Sequence, residues 1–228
     1  MRMRRKRNLD ERLADVSDLI IERTIKDLNM NTSVEIKDYI DYQKVFGNSN
    51  AVEVEVGCGK GTFITQLAKR KPNVNFIAIE MLSNVIVEAC EKAKREGLTN
   101  LRFMILRAEC LQSYIMPKSV SKIYINFPTP LPQKGYERQR LTNKKFLDIY
   151  RDILKSDGEI YLKTDSRGMF EYSICEFSQC GYALKNLSLD LHCSGYKENI
   201  VTEHEKKYMD MYLPIYRLEA YLPTKSEI

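Results

Sequence analysis

The chain has 228 residues, 43% of them hydrophobic and 29% charged, with a formal net charge of +5. That composition suits one α/β domain with a sizeable core and excludes a disordered chain. No apolar run approaches the roughly 20 residues that cross a bilayer, and Met1-Arg2-Met3-Arg4-Arg5-Lys6-Arg7 lacks the apolar core of a signal peptide, so a cytoplasmic protein with no membrane partner is expected.

The chain opens on a basic arm. Five of its 36 basic residues (Arg2, Arg4, Arg5, Lys6, Arg7) fall in the first seven positions, which leaves 31 against 31 acidic residues in the remainder. Such an arm could contact phosphates, although a solvated tail accounts equally well for the charge. Residues 1–50 read as this arm and an irregular or partly helical lead-in, ending in the turn Gly47-Asn48-Ser49-Asn50, and residues 51–228 as a single domain.

Strand-helix cycles follow. The first strand, Ala51 to Val56, runs into three alternate glycines and a helical pattern at Phe63, Ile64, Leu67 and Ala68. A second strand, Asn75 to Ile79, precedes a helix from Ser83 to Arg95, for which Ser83 is the expected cap and Gly97 the stop. A third strand is predicted at Leu101 to Leu106, followed by a short element from Glu109 to Tyr114. The fourth, Ile123 to Phe127, leads into a loop with Pro128, Pro130 and Pro132. An amphipathic helix from Asn143 to Leu154 is expected to end at Ser156-Asp157-Gly158. Strand Glu159 to Lys163 and a helix from Arg167 to Ser178 come next. Beyond Gly181, the runs Tyr182 to Leu191 and Leu213 to Leu222 lack a clear helical crossover and predict an antiparallel pair at the sheet edge.

Six scattered cysteines without a CxxC pair, and only two histidines, argue against zinc or disulfides. Buried free thiols and no metal are expected. Nor is there a plausible set for nucleophilic hydrolysis.

In such a sheet, ligands sit beyond the carboxyl ends of the strands. Gly57-Cys58-Gly59-Lys60-Gly61 is GxGxG, neither the GxGxxG of dinucleotide binding nor a P-loop. With Glu55 before it and Glu80 ending the next strand, it fits S-adenosylmethionine, because Glu80 can accept both hydroxyls of a ribose. A tight turn with incidental glycines is the plainer alternative, and Glu80 tips the balance towards the cofactor. The loop carrying Lys134, Tyr136, Arg138 and Arg140 suits a nucleic-acid substrate, but on composition alone a solvated helix start is favoured.

The ordered segments Met1-Arg2-Met3-Arg4, Phe46-Gly47-Asn48, Glu55-Val56-Gly57-Cys58-Gly59-Lys60-Gly61, Ile79-Glu80, Asn126-Phe127, Arg140-Leu141-Thr142, Lys163-Thr164-Asp165-Ser166-Arg167-Gly168, Leu189-Asp190-Leu191-His192, Thr202-Glu203-His204-Glu205 and Pro214-Ile215-Tyr216-Arg217 carry a resemblance. Over essentially its whole length the chain resembles the bacterial tRNA (guanine-N7-)-methyltransferase family. The resemblance implies a Rossmann-like class I methyltransferase with a mostly parallel sheet and a C-terminal antiparallel hairpin. It further implies S-adenosylmethionine as donor, tRNA as partner and N7 of a variable-loop guanine as acceptor.

By the same resemblance, Glu55, Gly57, Gly59, Glu80, Arg107, Glu109 and Asn126 fall on the cofactor side. Gln133, Lys134, Arg138, Arg140, Asp165, Thr202 and Glu205 fall on the substrate side, and Thr129 takes the position of the active-site aspartate. Family members usually carry an acid at Arg107, Ser-Asp-Pro-Trp-Pro-Lys in place of Pro128 to Gln133, and basic residues at Gly135-Tyr136. These departures motivate an alternative, a catalytically impaired paralogue that binds tRNA or cofactor without methylating.

Overall fold

A computed structural model describes residues 5–22 and 37–224. Its strands are β1 Val52–Val56, β2 Asn75–Glu80, β3 Leu101–Ile105, β4 Val120–Asn126, β5 Leu154–Thr164, β6 Ala183–Ser188 and β7 Tyr216–Tyr221. They form one sheet in the order β3-β2-β1-β4-β5-β7-β6. The first five pair in parallel, and β7 runs antiparallel to both β5 and β6. The predicted C-terminal antiparallel pair is therefore present, with its second strand inserted inward. Leu218 and Ala220 of β7 are fully buried, whereas Lys185, Asn186 and Leu187 of β6 are exposed, so burial selects β7 for the interior position.

Two apolar layers cover the sheet. Alternation along β2 sends Phe76 and Ala78 to one face and Ile77 and Ile79 to the other. The first face receives α3 (Thr62–Arg70) and α4 (Ser83–Arg95), which bury Phe63, Ile64, Leu67, Ile86, Ala89 and Ala93 at helical spacing. The second receives α5 (Leu111–Tyr114), α6 (Lys144–Ile153) and α7 (Arg167–Gln179) through Leu111, Phe146, Tyr150, Phe170 and Phe177. Among the described residues, the helices α1 (Leu9–Asp15) and α2 (Tyr42–Phe46) precede β1. Leu9 and Val16 are buried, and Arg12 forks onto Glu91 of α4 at 2.6 and 2.7 Å. Lys6 pairs with Glu88 and Arg5 with Asp10, so these two cations of the basic arm have internal partners. Met1 to Arg4 lie outside the described residues.

Four expectations need correction. Ser83 does not cap α4: it is the first helical residue, Leu82 is the cap residue with no side-chain cap bond, and the Leu82 amide donates to Glu80 at 3.0 Å. Ser156-Asp157-Gly158 does not separate helix from strand. The chain passes from Ile153 into β5 at Leu154, and the three residues sit where the register with β4 slips from Val120↔Leu154 to Lys122↔Glu159. A Cβ at Gly158 would lie 2.8 Å from Leu154 Cδ2, so that glycine serves close packing. The polar stretch before β7 holds a helix, α8 (Glu203–Asp210), whose one buried residue, Glu205, leaves no apolar period to read. Finally, only Cys58 and Cys90 are buried; Cys110 and Cys180 are half-buried, and Cys175 and Cys193 are exposed.

Candidate active site

The carboxyl ends of β1 to β4 open into a cleft of about 540 Å³. Val56, Gly57, Glu80, Arg107, Glu109, Asn126 and Thr129 line it, together with Gln139 and Leu141. The glycine turn is tied to β2, since the amides of Gly57 and Cys58 both donate to the Ile79 carbonyl at 2.8 and 3.0 Å. Gly57, Gly59 and Gly61 all have φ between 56° and 78°, a region that side chains disfavour. They differ in surroundings: a Cβ on Gly59 would meet nothing within 4 Å, but one on Gly61 would lie 2.5 Å from the Ala89 Cβ of α4. Gly61 thus brings the two helices together, and Gly57 and Gly59 keep the backbone open to the cleft.

Glu80 is aimed by backbone groups. One carboxylate oxygen accepts from Gly59 N at 3.3 Å and the other from Leu82 N at 3.0 Å. Each oxygen keeps a free lone pair for a ligand hydroxyl. Next to it, Arg107 pairs with Glu109 at 3.2 Å and Lys145 reaches the same carboxylate at 3.4 Å. Burial would raise the Glu109 carboxyl, but a backbone hydrogen bond and these two cations hold it below the usual range. Pairing largely neutralises Arg107 at the rim.

Below the turn, the two glutamates of β1 face the α3 side and both are buried. Glu53 is satisfied by Tyr124 Oη at 2.8 Å and Lys71 at 3.4 Å. Glu55 is not: Asn126 Nδ2 donates to Oε1 at 2.8 Å, whereas Oε2 has no partner among the described residues. Burial pushes the Glu55 carboxyl up to about 7, against the opposing pull of Asn126 and Lys163. A buried acceptor left over beneath the glycine turn, bonded through its other oxygen to Asn126 of the cleft lining, suits a ligand that brings hydrogen-bond donors. The residues present therefore fit S-adenosylmethionine, with Glu80 and the open glycines on the adenosine portion.

The substrate-side residues are not all brought together. Asp165 follows β5 and contacts His204 Nε2 at 3.2 Å, and the His204 ring lies 4.8 Å from that of Phe127 at the cleft. Thr202 is occupied as the α8 cap, accepting from Glu205 N at 3.0 Å. Glu205 is fully buried and bonded to Lys163 at 2.9 Å and to Asn199, so it anchors α8 to β5 and does not face the cleft. Gln133, Lys134 and Arg138 are exposed on a 3₁₀ turn and its entrance, outside the cleft lining. Arg140 turns inward, with Nε and Nη2 3.2 and 3.1 Å from the Leu131 carbonyl.

Three residues of note were given no role by the sequence reading. Gln139 lines the cleft, Phe127 forms its edge with φ 50°, and Lys163 holds the buried Glu205. Phe127 and Lys163 lie in segments that carry the family resemblance; Gln139 left no signal.

The parallel sheet with one reversed strand, the glycine turn after β1 and the acid that closes β2 beside it define a class I S-adenosylmethionine-dependent methyltransferase. A family profile described as putative methyltransferase matches residues 49–218. The tRNA (guanine-N(7)-)-methyltransferase of Bacillus velezensis is 42% identical over 202 residues, covering 87% of this chain and 93% of the relative. That of Listeria monocytogenes serotype 4a is 46% identical over 179 residues, covering 78% and 84%. The chain belongs to the tRNA (guanine-N(7)-)-methyltransferase family. Among solved structures, the 16S rRNA methyltransferase KamB superposes with a TM-score of 0.61 at 14% identity, covering 82% of this chain and 96% of that one. A SAM-dependent methyltransferase from Aquifex aeolicus gives 0.54 at 14% identity, covering 78% and 85%; both show the shared fold. None of the described helices is long and apolar enough to cross a membrane, and no cluster of described residues could hold a metal ion.

Proposed function

We propose that this protein transfers a methyl group from S-adenosylmethionine to N7 of a guanine in tRNA. The carrying observation is the Glu80 carboxylate fixed by Gly59 and Leu82 at the mouth of an open cleft that Thr129 also lines. The names of relatives at 42% and 46% identity support the substrate. When bound, the cofactor would supply a methyl group on a cationic sulfur to the free lone pair of guanine N7, the carbon–sulfur bond breaking to leave a neutral thioether. No proton is lost from the acceptor, so a general base is not required.

The chain's task is then to position and to balance charge. Thr129 is exposed at the cleft and offers the base a hydroxyl. Asp165, next to His204 at the Phe127 edge, is the carboxylate that favours the positive charge gained by the purine. Phe127 and His204 form an aromatic edge on which a base can lie. Lys134 and Arg138, exposed and outside the cleft, suit tRNA phosphates. A cytoplasmic location follows from the tRNA substrate. The non-methylating alternative gains no support from the fold or the relatives.

The test uses purified protein, methyl-tritiated S-adenosylmethionine and unmodified tRNA, followed by digestion to nucleosides. Label in 7-methylguanosine that is lost in Glu80→Ala is the expected result. Absence of label with the unaltered protein, or label in another nucleoside, would overturn it.

A further inference from the structure

The segment Pro128-Thr129-Pro130-Leu131-Pro132 forms one wall of the cleft but has little means of holding itself. Three of its five residues lack an amide hydrogen, and Leu131, between two prolines, sits at φ 45°, a left-handed conformation that a side chain disfavours. Among the described residues, the hydrogen bonds reaching residues 128–132 are the two from Arg140 to the Leu131 carbonyl, at 3.2 and 3.1 Å. The guanidinium is itself seated, 4.2 Å from the centre of the Tyr172 ring. Tyr172 is in turn fixed by Asn143 Nδ2, which donates to its hydroxyl at 2.8 Å, and Asn143 caps α6. A chain of contacts thus runs from two helices through Arg140 to the strained residue two positions from Thr129.

We propose that Arg140 is a positioning residue for methyl transfer and not a contact for RNA phosphate: seated on Tyr172, it clamps the Leu131 carbonyl and fixes the prolyl wall that presents Thr129. The proposal rests on the methyl-transfer reading above. It sets Arg140 apart from Lys134 and Arg138 of the same basic stretch, which are exposed. The clamp needs the fork of a guanidinium, which grips one oxygen through two nitrogens while lying flat on a ring; a lysine keeps the charge and loses both features.

Charge and geometry separate in the test. Arg140→Lys, Arg140→Ala and Tyr172→Leu are compared with the unaltered protein by hydrogen–deuterium exchange over residues 127–141 and by methylation kinetics at several salt concentrations. The expected result is faster exchange, in all three variants, of the hydrogen-bonded amides that flank the wall, Phe127 (to the Lys163 carbonyl) and Tyr136 (to the Gln133 carbonyl). With it, kcat falls about 10- to 100-fold, the scale of an ångström of misplacement, while KM for tRNA and its salt dependence stay unchanged. Arg140→Lys should fare no better than Arg140→Ala. The proposal is overturned if exchange is unaltered, or if Arg140→Lys restores full activity while Arg140→Ala raises KM and lowers the salt slope by about one. Should the unaltered protein fail to methylate tRNA, the functional reading falls, and the exchange measurement alone still decides whether Arg140 holds the wall.

Discussion

Glu55, next to last in β1, is buried, with one oxygen bonded to Asn126 and the other without a partner among the described residues. Burial raises its carboxyl from 4.5 to about 7. Between those values the unfolded chain has released the proton and the folded chain retains it, so stability declines as pH rises through the window and the penalty is complete above it. The scale is about 3 kcal/mol at most. Glu55→Gln removes the charge at constant shape. Urea unfolding of the ligand-free variant is expected to show it more stable than the parent by about 2–3 kcal/mol at pH 8 and nearly equal at pH 4.5. A difference independent of pH would show that Glu55 ionises freely. Its neighbour Glu53, with the same alternation in sequence, has Tyr124 and Lys71 as partners. Nothing in Val52-Glu53-Val54-Glu55-Val56 distinguishes the two, because the difference lies in what β4 and α3 bring across the sheet.

At the scale of elements, the turn between β1 and α3 does two jobs with glycines that look alike in sequence. Gly61→Ala combines a left-handed φ with a Cβ 2.5 Å from Ala89, so α3 or α4 must shift. A cost of about 2–5 kcal/mol is expected, the sum of conformational and overpacking penalties. Gly59→Ala has the conformational penalty alone, about 1–2 kcal/mol, and should be felt mainly in cofactor affinity. Unfolding of both ligand-free variants tests the order; equal losses would mean that the α3–α4 contact is loose. The βα cycles were legible because apolar residues recur at helical and strand periods. The missed helix, α8, owes its start to the Thr202 cap and its anchoring to the buried Glu205–Lys163 pair. Neither leaves an apolar stripe.

For the whole molecule, the positive charge is distributed differently from what the count suggests. Lys6 and Arg12 are paired with Glu88 and Glu91 of α4, and Arg107 with Glu109. Lys134 and Arg138 are exposed outside the cleft, and on the reading proposed above they meet tRNA phosphates. Replacing both by glutamine is expected to reduce the slope of log K for tRNA against log salt by about 1.5 to 2, with kcat at saturating tRNA near that of the parent. An unchanged slope would move the RNA track to another face.

Sequence by itself determined the class of sheet, the glycine turn after β1 and the acid at the end of β2, because these depend on local periodicity and on residues within one βα unit. Glu80 closes β2, and Gly57 follows β1 directly. Tertiary structure alone decided which polar residues are free to meet a ligand. Arg140 and Glu205 read as substrate contacts when only their neighbours in sequence are known, yet each is bonded inward, to Leu131 and to Lys163, by residues 9 and 42 positions away. A charge in a sequence has no direction until folding supplies its partner.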